Sequence, residues 1–166
     1  MTSKQIQELA KQISSMLSES NNKYKETEAL LYNYTGYKET IVRNKQRIDN
    51  IIQNGAEEKA KSNKGEYVQG GIKEYGGLPE EEIRQIDHIL EENSKLEKRV
   101  IRIENALIHI EDDEYQEIIA LRYFKNKSIE EIATHLDVNE KTIARNRTRI
   151  INKLQTILFS EIIIGY

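Results

Sequence analysis

Residues 128–145 read Ser128-Ile129-Glu130-Glu131-Ile132-Ala133-Thr134-His135-Leu136-Asp137-Val138-Asn139-Glu140-Lys141-Thr142-Ile143-Ala144-Arg145. The stretch holds two helix starts. Ser128 with Glu131 three positions on is a capping box: the serine oxygen accepts from an orphan amide and the glutamate reaches back. The helix it opens, 129 to 136, puts Ile129, Ile132, Ala133 and Leu136 on one side. Asp137-Val138-Asn139 is then a tight turn, and Asn139 caps a second helix whose first turn carries Glu140 at its positive end. Two helices crossing steeply through so short a turn need a small residue where they touch, Ala133, and an apolar plug inside the turn, Val138. The pattern is a helix-turn-helix.

The second helix divides into two faces. Ile143, Ile150 and Leu154 form the buried stripe, while Lys141, Ala144, Arg145, Thr148 and Arg149 fall outside it. From Val138 to Lys153 the basic residues are Lys141, Arg145, Arg147, Arg149 and Lys153, against Glu140 alone, although the whole chain has a formal net charge of -3. An arginine offers a two-pronged donor to guanine O6 and N7 in a major groove. At the helix N-terminus Asn139 and Thr142 are placed to hold a phosphate. The candidate DNA-binding residues are therefore Asn139, Lys141, Thr142, Arg145, Thr148 and Arg149. The plainer reading of the same basic run is a solvated face paired with acids elsewhere. Asn146 stands where an apolar residue is expected, which implies loose or wet packing beneath the helix. Just upstream, Glu114 to Phe124 reads as one helix burying Ile118, Leu121 and Phe124, with Lys125-Asn126-Lys127 as the connecting turn.

Toward the N-terminus the composition changes. The 166 residues are 37% hydrophobic and 32% charged, with one proline and no cysteine, a balance that favours long solvated helices and excludes disulfides and thiolate metal sites. Ile6, Leu9, Ile13 and Met16 make an apolar stripe, Ser20-Asn21-Asn22 interrupts it, and a second helix is expected from about Lys23 to Gln53, weakened by Gly36. Six of the eight glycines lie between Asn54 and Leu78, which reads as a flexible linker over 54–78. Pro79 with Glu80, Glu81 and Glu82 then signals a helix start. Along that helix Ile86, Asn93, Val100 and Leu107 occupy a positions of a heptad, and Ile89, Leu96, Ile103 and Ile110 occupy d. Asparagine at a specifies register or oligomeric state, so two arrangements stay open. The helix folds back on the one before it, or pairs two chains with Asn93, Leu96, Val100 and Ile103 as oligomerisation residues, and the two can coexist in a helical bundle dimer.

The stretch from Tyr115 to Leu154 resembles region 4 of the sigma-70 family, carried by Leu121-Arg122-Tyr123, Ser128-Ile129-Glu130-Glu131-Ile132-Ala133, Leu136, Val138 and Thr142-Ile143. The whole layout, with Leu31-Tyr32-Asn33-Tyr34 in the N-terminal helical part, resembles the ArpU/RinA-type phage and prophage transcription regulators. That resemblance implies activation of phage late genes, with bacterial RNA polymerase as a partner. A sigma region 2, with its aromatic and basic DNA-melting helix, is not recognisable.

The expected fold is all-α: an N-terminal long-helix hairpin or coiled coil over 1–111, then a sigma-70 region 4-like helix-turn-helix over 112–166. The expected partners are double-stranded DNA, RNA polymerase and a second copy of the chain. A membrane is not expected, since the N-terminus lacks a signal-peptide pattern and no apolar run is long enough to span, and the expected location is the cytoplasm. His88, His109 and His135 fall on different helices without ligand spacing, no phosphate loop or nucleophile elbow occurs, and neither a metal, a cofactor nor catalysis is expected. The tyrosines Tyr24, Tyr32, Tyr34 and Tyr37 read as core packing with wet hydroxyls. Ile157-Leu158-Phe159 and Ile162-Ile163-Ile164 are apolar enough to close a core or join a dimer interface. Two rivals share the features: a small-terminase-like DNA-recognition protein, whose usual domain order is reversed here, and an anti-sigma-type helical interaction protein that binds no DNA.

Overall fold

The computed structural model describes residues 3–62 and 78–160, with side chains over 4–55 and 78–160. Every described element is helical. Helix α1 spans Ser3–Ser62 and α2 spans Glu80–Ile108. A short turn of α-helix, α3 (Glu117–Ile119), continues into a π-helical turn, Ala120–Phe124, followed by α4 (Ile129–His135) and α5 (Glu140–Ser160). Two expectations are corrected. Ser20-Asn21-Asn22 does not break the first helix, and Asn54-Gly55 does not end it, because α1 is continuous through both. Helix propensity is a weak local preference, and a few tenths of a kcal/mol per polar residue do not stop a long helix. Of the expected linker, residues 63–77 lie outside the described residues.

The chain packs as two units, one comprising Gly36–Val100 and the other Met1–Thr35 with Ile101–Tyr166. In the first, α1 and α2 run antiparallel. Ile48, Ile86 and Ile89 are buried together, with Ile51 and Leu78 against them. The Asn44 amide donates to the Asn93 side-chain oxygen at 2.9 Å, and Lys45 meets Glu97 at 3.2 Å. Asn44 lies at a d position of α1 in the same heptad frame that places Ile41 and Ile48 at a, so the two asparagines fill one layer of the seam. Asn93 is thus spent inside one chain, the fold-back arrangement. The expected oligomerisation residues Val100 and Ile103 are likewise buried within the chain, and Leu96 is half-buried. Gly55 has a local reason: a Cβ there would come within 2.1 Å of Leu78.

The second unit encloses the helix-turn-helix. Ile118, Leu121, Ile132, Ala133 and Ile143 form its core, with Tyr115, Ile129, Leu136 and Val138 around it. The helix expected over Glu114–Phe124 is shorter and changes type. Its regular part starts at Glu117, and the amide of Lys125 donates to the Ala120 carbonyl five residues back at 3.0 Å. That wider turn lifts Phe124 to a half-buried position and buries Tyr123 instead. Tyr123 donates its hydroxyl to Glu28 of α1 at 2.6 Å and meets Tyr32 edge-on, while Phe124 packs on Tyr34. Burial, then the Glu28 carboxylate, push the Tyr123 phenol upward, so it stays protonated and donating. Leu158 is buried and Ile157 and Phe159 are half-buried, with the Arg102 guanidinium donating to the Leu158 carbonyl and lying over the Phe159 ring. Ile162-Ile163-Ile164 lie outside the described residues.

Candidate nucleic-acid interface

The turn between α4 and α5 is built as the sequence leads one to expect. Ser128 accepts from the Glu131 amide at 3.1 Å, and the Glu131 carboxylate accepts from the Ser128 amide at 2.8 Å. Lys127 first, then that amide, hold the Glu131 carboxyl at about 2, well below its usual range. At the other end of α4 the amides of Val138 and Asp137 donate back to the carbonyls of Ala133 (3.0 Å) and Thr134 (3.4 Å). This is a Schellman closure with Val138 packed toward Ala133, and it requires a left-handed residue between them. Asp137 fills that role at φ 52.

Asn139 then caps α5, its side-chain oxygen accepting from the Lys141 amide at 2.7 Å. The cap leaves the Asn139 amide group to donate outward. Ile143, Ile150 and Leu154 are fully buried, so one stripe locks α5 in place and fixes which residues face away. Lys141, Ala144, Arg145 and Thr148 are exposed along the opposite side at helical spacing, and Thr142 is half-buried beside them. Asn152, exposed one turn beyond Thr148, extends that face. It was missed in the sequence, where the i+4 step from Thr148 was the available signal.

Arg149 departs from expectation. Its guanidinium makes two bonds to Asp113, at 2.7 and 2.8 Å, and its Nε donates to Asn146 at 3.1 Å. The fork is engaged by the protein's own carboxylate, so Arg149 does not offer a free pair of donors beside Arg145. Asn146 is buried and satisfied on both ends, donating to the Thr142 carbonyl at 3.0 Å while accepting from Arg149. The expected loose or wet packing there is corrected: the polar residue is what orients Arg149. Asp113 also accepts from the Tyr115 amide at 3.0 Å, which ties the entry of the segment to the middle of α5. The Arg149 hydrogen bonds hold the Asp113 carboxyl down at about 2 against the cost of its burial. Arg147 is half-buried, close enough to Tyr123 to act on its phenol. Of the basic run, Lys141 and Arg145 therefore share the exposed face with Thr148, while Arg147 is half-buried near Tyr123 and Arg149, though partly exposed, is engaged by Asp113 and Asn146. Glu130, Asp137 and Glu140 line a shallow polar hollow with Asn139 at the helix-turn-helix elbow.

Among the described residues no group of three or more His, Asp or Glu is placed to hold a metal ion. No described helix is long and apolar enough to cross a membrane.

The protein-family model for sigma-70, region 4 matches residues 112–154, from the entry turn through α5's buried Leu154. That segment is a sigma-70 region 4-like helix-turn-helix, a DNA-binding class of domain. No curated protein and no solved structure matches the chain.

Proposed function

We propose that the chain is a sequence-specific regulator of transcription that reads a major groove with the exposed face of α5. The observation that carries this reading is the division of α5: Ile143, Ile150 and Leu154 are fully buried on one side while Lys141, Arg145 and Thr148 stand free of the core on the other. In this reading Arg145 takes a base edge, Lys141 and Thr148 flank it, and Asn139 and Thr142 hold backbone phosphate at the helix N-terminus. Arg149 acts behind the interface by fixing α5 against Asp113. The carboxylates of Glu130, Asp137 and Glu140 beside the reading helix oppose phosphate, so affinity for arbitrary sequence should be low and discrimination correspondingly high.

The finer reading follows the ArpU/RinA-type layout: activation of phage or prophage late genes, with RNA polymerase as partner and a homodimer presenting two recognition helices to half-sites about one helical turn apart. Genomic footprinting, followed by mobility shifts on the recovered site, tests it. Arg145→Ala should cost about 1–3 kcal/mol and relax preference at one base pair. Wild-type affinity in Arg145→Ala would remove the face from the interface, and absence of any salt-sensitive DNA binding would turn the reading toward a protein-binding helix.

A further inference from the structure

From Ile6 to Leu17, before the packed part of α1 begins, the helix carries an apolar face that none of the described residues covers. Ile6, Leu9, Ile13, Met16 and Leu17 are 56, 46, 49, 70 and 61% exposed. Elsewhere among the described residues the exposed large hydrophobics are scattered singly. A heptad frame explains the grouping. Counting Ile41 and Ile48 as a and Asn44 as d, the positions of the intrachain seam, the same frame carried back along the uninterrupted helix makes Ile6 and Ile13 a and Leu9 and Met16 d. The coiled-coil seam therefore continues past the point where α2 supplies a partner.

We infer that this face pairs with the same face of a second copy, as a short parallel two-stranded coiled coil. Isoleucine at a with leucine at d favours two parallel strands, and here Ile6 and Ile13 hold a while Leu9 holds one d position and the apolar Met16 the other. The flanks permit a like partner: the g residues Gln5, Gln12 and Glu19 would meet the e residues Ala10, Leu17 and Tyr24 of the copy, with no like-charge pair among them. The charges Lys4, Glu8 and Lys11 lie on the far side at f, c and f. Ser20 at a and Lys23 at d, the latter bonded to Glu19 at 2.6 Å, close the seam with polar residues. Among the described residues the end of α5 is no competitor: Leu158 lies against Arg102, and the nearby Glu104 bonds Tyr34, roughly 27 Å along α1 from Met16 at 1.5 Å per residue.

The pairing supplies an interface for the homodimer proposed above and rests on that proposal, though not on DNA binding. The test uses the full chain without DNA. Sedimentation equilibrium of the wild type should show mass rising from one copy to two with concentration. Ile6→Asp with Ile13→Asp should weaken association at least about tenfold, with the thermal unfolding midpoint of the rest unchanged. Because the chain has no cysteine, Ile13→Cys should form a disulfide-linked dimer under mild oxidant, and Ser18→Cys, on the far side of the helix, should not. A wild-type dimer that survives both aspartates overturns this interface and keeps the dimer. A wild type that remains a single copy at millimolar concentration overturns both, and equal cross-linking through Ser18→Cys overturns the parallel register.

Discussion

Arg145 and Arg149 are four residues apart, share a helix, and are expected to fail differently. Arg145 stands exposed on the reading face, so Arg145→Ala should leave unfolding unchanged and weaken DNA binding. Arg149 spends its donors on Asp113 and Asn146; removing it leaves a buried asparagine oxygen without a donor and the Asp113 carboxylate with only the Tyr115 amide. Arg149→Ala should therefore lower stability, and Asp113→Asn should do so by a similar route. The pair also sets a pH dependence. The Asp113 carboxyl sits at about 2 in the folded chain, below its ordinary 3.8, so the folded state binds fewer protons than the unfolded one. The stabilisation is complete above the ordinary value and is lost as pH falls from 3.8 through about 2. Arg149 is 49% exposed, and solvent screening reduces the pair to on the order of 1 kcal/mol. Urea unfolding of wild type and Asp113→Asn at pH 6 and near pH 2.5 should show a gap at the higher pH that narrows at the lower; a constant gap would deny the linkage. The Asn44–Asn93 layer makes the same point with neutral groups. Asn93→Leu alone strands a half-buried amide and should cost about 1 kcal/mol, while Asn44→Leu with Asn93→Leu should recover it, since both polar partners are then gone.

At the level of single helices, local chemistry explains most of what could be foreseen. The capping box at Ser128 and the Asn139 cap were legible because each depends on residues within three positions of itself. Ser128→Ala should cost about 1 kcal/mol in thermal unfolding. What could not be read were features decided by partners far along the chain. Asn146, a local partner three residues back, was visible beside Arg149, but the decisive partner was not: Asp113, thirty-six residues earlier, is what engages its guanidinium fork while Arg145 stays free of the core. The π-helical turn at Ala120–Phe124 likewise puts Tyr123 rather than Phe124 toward Glu28 on α1, ninety-five residues away. Breaks at Ser20-Asn21-Asn22 and Asn54-Gly55 were expected from composition and do not occur, because a helix with a long packed stretch outlasts unfavourable residues near it. Gly36 shows the residual cost of such a residue. It is helical, and a Cβ there meets nothing within 4 Å, so Gly36→Ala should raise stability by about 0.5–1 kcal/mol. An unchanged or lower unfolding midpoint would mean the glycine serves a contact made only with a partner.

For the molecule as a whole, the segment recognisable in the sequence is smaller than the unit that packs. The family match covers 112–154, yet the helix-turn-helix shares its unit with α1 as far as Thr35 and with α2 beyond Val100. Tyr123 is buried and bonds Glu28, Phe124 stacks on Tyr34, Arg102 reaches Leu158, and Thr27 and Leu31 of α1 are fully buried in the same unit. A fragment confined to 112–160 would release Tyr123 and its neighbours to water, exposing apolar surface worth roughly 25 cal/mol per Å². It should unfold at a lower temperature than the whole chain and bind a hydrophobic dye in its baseline. Tyr123→Phe in the full chain isolates one strand of that dependence. It keeps the ring against Tyr32 but removes the donor to Glu28, and should cost about 1–2 kcal/mol in stability without touching the reading face of α5. If the short fragment melts at the temperature of the intact protein, α1 does not support the helix-turn-helix, and the contacts of Glu28 and Tyr34 contribute nothing to its folding.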